Sequence, residues 1–402
     1  MQRAALGIIA VFGLGAAIAD ADDAATKKPY ELVRELQAFQ DQAALKRTGE
    51  RAEQRDRIAK VAEELRKFDA SVWVEERNLR AAVIYVLSGG DPRALRSLVD
   101  SKEDLGDNDK LVKGALAYSE RRDAEAAELL SGVDVESLDR SVGGHVALVR
   151  ASLAAESDQR KAFALLDRAR VIAPGTLVEE AALRRQAILA AKINELDTFE
   201  RLSSQYFRRF NTSLFAGSFE QQFAQEVVSK AYTAQEKRMA KLEEIIRSVE
   251  PEVRINTCLA LAEQGISRAN VEIVRFAARL AGIDAQSSPL DATRMRLFEA
   301  AALLVTEAYE DGSRALRTID RAKLGVREEA LLNAAFAVSR EIARPPSMAT
   351  VSRQKPGAAD ATTADTDGGA ADKGSEIARS RVVSDAQQAL ERVDELLKET
   401  PR

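Results

Sequence analysis

Between Tyr30 and Arg344 the chain carries only four prolines, Pro92, Pro174, Pro251 and Pro289, and each falls at a break in a helical pattern. Proline removes a backbone donor and clashes with the preceding turn, so long stretches without it are free to stay helical. Between the breaks, Leu32, Leu36, Phe39 and Ala43 recur at steps of four, three and four, and Ile58, Val61, Leu65 and Phe68 at three, four and three. Such steps paint one helix face and leave Arg, Glu, Lys and Gln on the other. Gly and Pro together make 30 of the 402 residues, about 7% against roughly 12% in an average protein. Few turn-formers and few aromatics exclude a β-sandwich or barrel.

The breaks carry helix-end chemistry. SGGDPR at residues 88–93 offers glycines to stop one helix, Asp91 as N-cap and Pro92 as the first helical residue of the next. PGTLVEE places Thr176 and Glu179 as a capping box, and Ser288-Pro289 is a third start of the same kind. The helices also repeat. KAFALLDRARV at 161–171 resembles RALRTIDRAKL at 314–324, and each leads into Glu-Glu-Ala, at 179–181 and 328–330. Alanines that admit a neighbouring backbone, flanked by Leu or Ile, are the packing logic of paired-helix solenoids. The expected fold is all-α: a degenerate tetratricopeptide-like helical-hairpin array over residues 29–344, with an irregular bundle as the competing form.

Both ends of the chain read differently. Arg3, the uncharged run ALGIIAVFGLGAAIA (5–19) and the small-x-small Ala17-Ile18-Ala19 form a secretory signal pattern over residues 1–19, with 21 as the other cleavage point. The run is shorter than the ~20 residues of a comfortable membrane span. A soluble mature chain in the periplasm is therefore expected, with no stable membrane insertion. Residues 345–376 contain no Leu or Phe and are rich in Ala, Gly, Asp and Thr, the composition of a disordered linker. Within 377–400, Val383, Ala386, Leu390, Val393 and Leu397 return to helical steps, as in an amphipathic helix.

The chemistry sought is mostly missing. Fifty-nine Lys and Arg against 64 Asp and Glu give a net charge of −5, which argues against nucleic-acid binding. One His and one Cys fall short of the roughly four ligands of a structural zinc site. Phosphate-loop, dinucleotide and serine-hydrolase glycine motifs are absent from the sequence. His145 reads as a packed or capping residue, Cys258 as a small buried hydrophobe and Trp73 as a core anchor. No cofactor, metal or small-molecule substrate is expected. A murein-cleaving enzyme is the competing class, but it would need a lysozyme-like domain with a catalytic Glu, for which no segment remains.

One segment stands out. YFRRFNTSLFAGSFEQQF (206–223) holds five of the 13 phenylalanines and a tyrosine, with Phe215, Phe219 and Phe223 on one helical stripe. The plain reading is a core where two parts of the array meet. The functional one is a partner-binding patch of Tyr206, Phe207, Arg208, Arg209, Phe210 and Phe215, since aromatics and Arg anchor protein interfaces.

PYELVRELQAFQDQ (29–42), RAAVIYVLSGGDPR (80–93), APGTLVEEAALRR (173–185) and the YFRRF–LFAGSF stretch together resemble the periplasmic motility (chemotaxis) proteins of the MotC family. The resemblance runs over roughly residues 29–344, and APGTLVEEAALRR is its most specific element. It implies a non-enzymatic periplasmic protein required for flagellar rotation, acting on the periplasmic part of the stator subunit MotB. It brings no catalytic residues. A general periplasmic scaffold in envelope assembly is the other reading of the residues alone.

Overall fold

The computed structural model describes residues 27–45, 51–101, 104–282 and 288–344. The signal segment, the 345–376 linker and the 377–400 helix expected from the sequence lie outside these. Within them the chain is all-α, with 17 α-helices and no strand among the described residues. In order these are α1 (Pro29–Leu45), α2 (Arg51–Leu65), α3 (Glu76–Leu87), α4 (Arg93–Asp100), α5 (Asp109–Ser119), α6 (Asp123–Ser131) and α7 (Arg140–Ala154). Then follow α8 (Gln159–Ile172), α9 (Leu177–Lys192), α10 (Leu196–Arg209), α11 (Ala216–Ser229), α12 (Glu236–Arg247) and α13 (Pro251–Ser267). The last four are α14 (Val271–Ala281), α15 (Pro289–Leu303), α16 (Tyr309–Arg317) and α17 (Val326–Ile342).

The described helices fall into two compact units, the first holding residues 29–41 and α2 to α7 up to residue 153, the second residues 42–45 and α8 to α17. In the second unit the helices pack on a neighbour in sequence, on the next but one, or on both. Helices α9, α11, α13, α15 and α17 touch in succession as one layer, and α10, α12 and α14 as another. Contact at both intervals is the signature of stacked hairpins, an α-solenoid. In the first unit α3, α4 and α6 gather on α5.

One turn recurs at the hairpin tips. After α3, α5, α9 and α13 a residue enters the left-handed region: Gly89 (φ 92°), Arg121 (φ 63°), Asn194 (φ 63°) and Ala269 (φ 52°). The next amide then donates back to a carbonyl five residues earlier. These bonds are Gly90 to Tyr85 at 2.9 Å, Arg122 to Ala117 at 2.9 Å, Glu195 to Ala190 at 2.8 Å and Asn270 to Gly265 at 2.8 Å. That bond closes a Schellman cap and turns the chain into the next helix. Gly265 serves the crossing of α13 and α14 as well, because a Cβ there would stand 2.6 Å from Ile273 Cγ2.

The starts read at Thr176 and Ser288 are in place, whereas α4 begins at Arg93, one residue later than expected, with Pro92 and not Asp91 as its N-cap. Asp91 accepts the Arg93 amide at 3.0 Å, Thr176 the Glu179 amide at 3.4 Å and Ser288 the Asp291 amide at 3.3 Å. The predicted stripe of α1 is rotated: Leu36 is buried, but the full row is Val33, Leu36, Gln40 and Ala44, with Leu32 and Phe39 half-buried. The paired segments diverge. Residues 161–171 lie wholly in α8, whereas α16 stops at Arg317 and Asp320 accepts the Ala322 amide at 3.1 Å to set a short 3₁₀ turn. An Asp beside an open turn competes with the helix for backbone donors, and in the second copy it wins.

Candidate functional site

The site grows from the α9–α10–α11 triplet. Thr176 starts α9 and brings Glu179 and Glu180 into its first turn, where the helix dipole favours carboxylates. Both are nevertheless buried, Glu180 completely. Each is therefore held by donors. Glu180 accepts from the Tyr206 hydroxyl at 2.6 Å and from Arg184 Nε at 3.0 Å, one turn along its own helix. Glu179 takes Arg209 Nη1 at 2.6 Å and the Gly175 amide at 2.6 Å. Charged acceptors of this kind are the stronger sort of hydrogen bond, and their loss inside a core costs more than their presence gains.

Tyr206, Phe207 and Phe210 lie inside the core, each no more than 2% exposed. The Tyr206 ring stacks on Phe219 with centroids 4.0 Å apart, and Phe207 meets Phe219 and Phe223 at 5.2 Å each. Phe215 is half-buried beneath Arg184, whose guanidinium lies 5.1 Å from the ring centre. Arg208 and Arg209 are exposed. The structure thus splits the predicted patch into a buried aromatic base and an exposed basic edge. Burial first, and the Glu180 charge second, push the Tyr206 phenol far above its usual range, so it stays a proton donor. The same device recurs one hairpin on. Tyr232, 1% exposed, donates to Glu200 at 3.1 Å, and Arg238 pairs with that carboxylate at 3.0 Å.

Arg208 leads onto a groove of about 850 Å³ between α10 and α12. Its α10 wall carries Asp197, Arg201, Ser204 and Arg208, at steps of four, three and four on one helix face. Its other wall carries Lys237, Arg238, Lys241 and Glu244. Arg238 is tied to Asp197 and Glu200, and Lys241 to Glu244 at 2.8 Å. Arg201, Arg208 and Lys237 are exposed and have no ion-pair partner among the described residues. Arg170 is pushed down by burial, against the opposing charges of Asp167 and Glu179. With Glu236 also on its rim, the groove carries five basic side chains against four acidic ones, and its α10 wall backs onto the buried aromatic residues.

The other candidates are placed elsewhere. His145 lies within α7, half-buried, its Nδ1 donating to the Ser141 carbonyl at 2.8 Å, and burial pushes its pKa down. Cys258 is fully buried in α13. Trp73 is 2% exposed and meets Phe68 edge to face. No group of three or more His, Cys, Asp or Glu that could hold a metal ion occurs among the described residues. The sequence reading missed Glu179 and Glu180 as partners of the aromatic segment, and missed Arg201 and Lys237. The readable signal was two carboxylates set among Val178, Ala182 and Leu183, residues that must face a core.

Fold and geometry define an all-α helical-repeat protein with an open groove between α10 and α12. The profile of the family described as MotC, chemotaxis protein MotC, matches residues 1–402, and the chain belongs to that family. It is 32% identical over 348 residues to the chemotaxis protein MotC of Rhizobium meliloti (strain 1021), covering 85% of this chain and 78% of that relative. No solved structure matches it. No helix among the described residues is long and apolar enough to cross a membrane.

Proposed function

We propose that this chain is a non-enzymatic periplasmic factor required for flagellar rotation, which binds the periplasmic part of the stator subunit MotB. Membership of the chemotaxis MotC family supports the motility role. The observation that carries a binding role is the exposed basic edge of Arg201, Arg208 and Lys237 over a fully buried aromatic base. Arginines are among the residues that most often anchor protein interfaces, and a packed backbone beneath them spares the cost of ordering the chain on binding. In this reading Arg208, Arg209 and Phe215 face the partner, and Tyr206, Phe207 and Phe210 set their position from below.

Arg209 also pairs with buried Glu179, so the cleaner test leaves it in place. Binding of the exported chain to the periplasmic fragment of MotB is measured with the wild type and with an Arg201→Glu, Arg208→Glu double variant. Charge reversal at both sites should weaken binding by tenfold or more with an unchanged melting curve. Deleting the gene should leave cells flagellated but unable to swim. Equal binding by the double variant sinks the assignment of the face, and normal swimming of the deletion strain sinks the function.

A further inference from the structure

Three large tyrosines are fully buried: Tyr85, Tyr206 and Tyr232. Two of them give their proton to a glutamate that an arginine backs, Glu180 with Arg184 and Glu200 with Arg238. Tyr85 does not. Its hydroxyl is buried and finds no acceptor for its proton among the described residues. An orphaned buried hydroxyl is rare and costly, and it calls for an explanation.

The explanation lies beside it. Tyr85 lines a half-open pocket of about 200 Å³ in the first unit, together with Arg66, Phe68, Trp73, Asp91 and Arg93. The loop after α3 sets the tyrosine there: the ring lies flat on Gly90, where a Cβ would come within 2.4 Å of its Cζ. Asp91 does not accept it: its carboxylate is turned to Arg93, taking the amide at 3.0 Å and Nε at 2.7 Å. With that pair neutral, Arg66 is left over. It is exposed, and its Nε bonds only the Ala62 carbonyl, at 3.1 Å. The pocket thus holds one unmet proton donor, one unmatched positive charge and aromatic walls.

The geometry points to a binding site for a single carboxylate on a short apolar stem, supplied as the acidic side chain of a partner polypeptide. That group would do for Tyr85 what Glu180 and Glu200 do for Tyr206 and Tyr232. It would accept the phenol proton, with Arg66 in the role of Arg184 and Arg238, while its methylenes lie against Trp73 and Phe68. The size supports a side chain over a free ligand, since small-molecule pockets usually span ~300–1,000 Å³. The site belongs to the first unit and does not depend on the function proposed for the α10–α12 groove.

Trp73 is the one tryptophan of the chain, so its emission reports this pocket alone. The full chain is titrated with acetyl-Ala-Ala-Glu-Ala-Ala-amide, with the same peptide bearing Gln, and with butyrate. The expected result is a saturable shift with the Glu peptide and affinity at least tenfold weaker for the Gln peptide. Tyr85→Phe should weaken the Glu peptide at least tenfold, Arg66→Gln should weaken it as well, and the melting temperature of Tyr85→Phe should not fall. No saturable shift, equal binding of the Glu and Gln peptides, or full affinity in Tyr85→Phe would overturn the site. Binding of butyrate without the Glu peptide would overturn the polypeptide partner.

Discussion

Tyr206 in the second unit and Tyr85 in the first are equally hidden, at 0% and 1% exposed, yet their surroundings are opposite. Around Tyr206 the phenol and the two carboxylates each meet a counterpart: phenol to Glu180, Glu180 to Arg184, Glu179 to Arg209. Around Tyr85 the counterpart is missing, and a pocket stands where it would be. The difference teaches that burial alone says nothing about role. A closed polar network specifies a core, while an open one marks a place where the molecule is incomplete.

The comparison breaks most readily at its aromatic end. Phe219→Ala, which removes the ring stacked on Tyr206, should cost about 3–5 kcal/mol and lower the denaturant midpoint accordingly. A loss under about 1 kcal/mol would mean that the base is not stiff.

The phenylalanine swaps are the sharper pair. Tyr206→Phe strips Glu180 of a donor in a dry site and should cost roughly 2 kcal/mol. Tyr85→Phe removes a hydroxyl whose proton has no acceptor, and it should be neutral or slightly stabilising in the same urea titration. Equal losses would erase the distinction between the two regions.

A third difference appears in acid. Burial lowers the pKa of His145 in the first unit, so the folded state favours the neutral ring. Its contribution is complete above the unfolded value of 6.5 and is lost as pH falls below it towards the folded one. Melts taken between pH 7.5 and 5 should lose temperature on acidification, and His145→Gln should flatten part of that slope. A slope unchanged in the variant would assign the loss elsewhere.

The smallest expected effect sits in the turns. Gly89 adopts its left-handed conformation without strain, whereas Ala269 does so against its Cβ. Ala269→Gly should therefore stabilise by about 0.5–1 kcal/mol, read as a rise in melting temperature.

Helical starts were legible because their signals are local: Thr176 and Ser288 each cap within three residues, and the Asp91-Pro92 signal misses the start of α4 by one residue. The turns were only half legible. Gly89 and Asn194 are residues that favour left-handed backbone, but nothing in the sequence marks Arg121 or Ala269, which packing on both sides holds in place. The tyrosine–glutamate pairs span 26 and 32 residues, a separation set by how one hairpin stacks on the next. Periodicity showed that 206–223 packs somewhere but not which of its residues face inward. It also made 314–324 look like a second α8, since it does not weigh an Asp's competing turn.

In the second unit the helices lean chiefly on a nearest neighbour, on the helix two places away, or on both. Such a stack has no keystone. Pulled from one end, it should yield hairpin by hairpin and rewind in the same order, a graded spring where a globule of this size would snap.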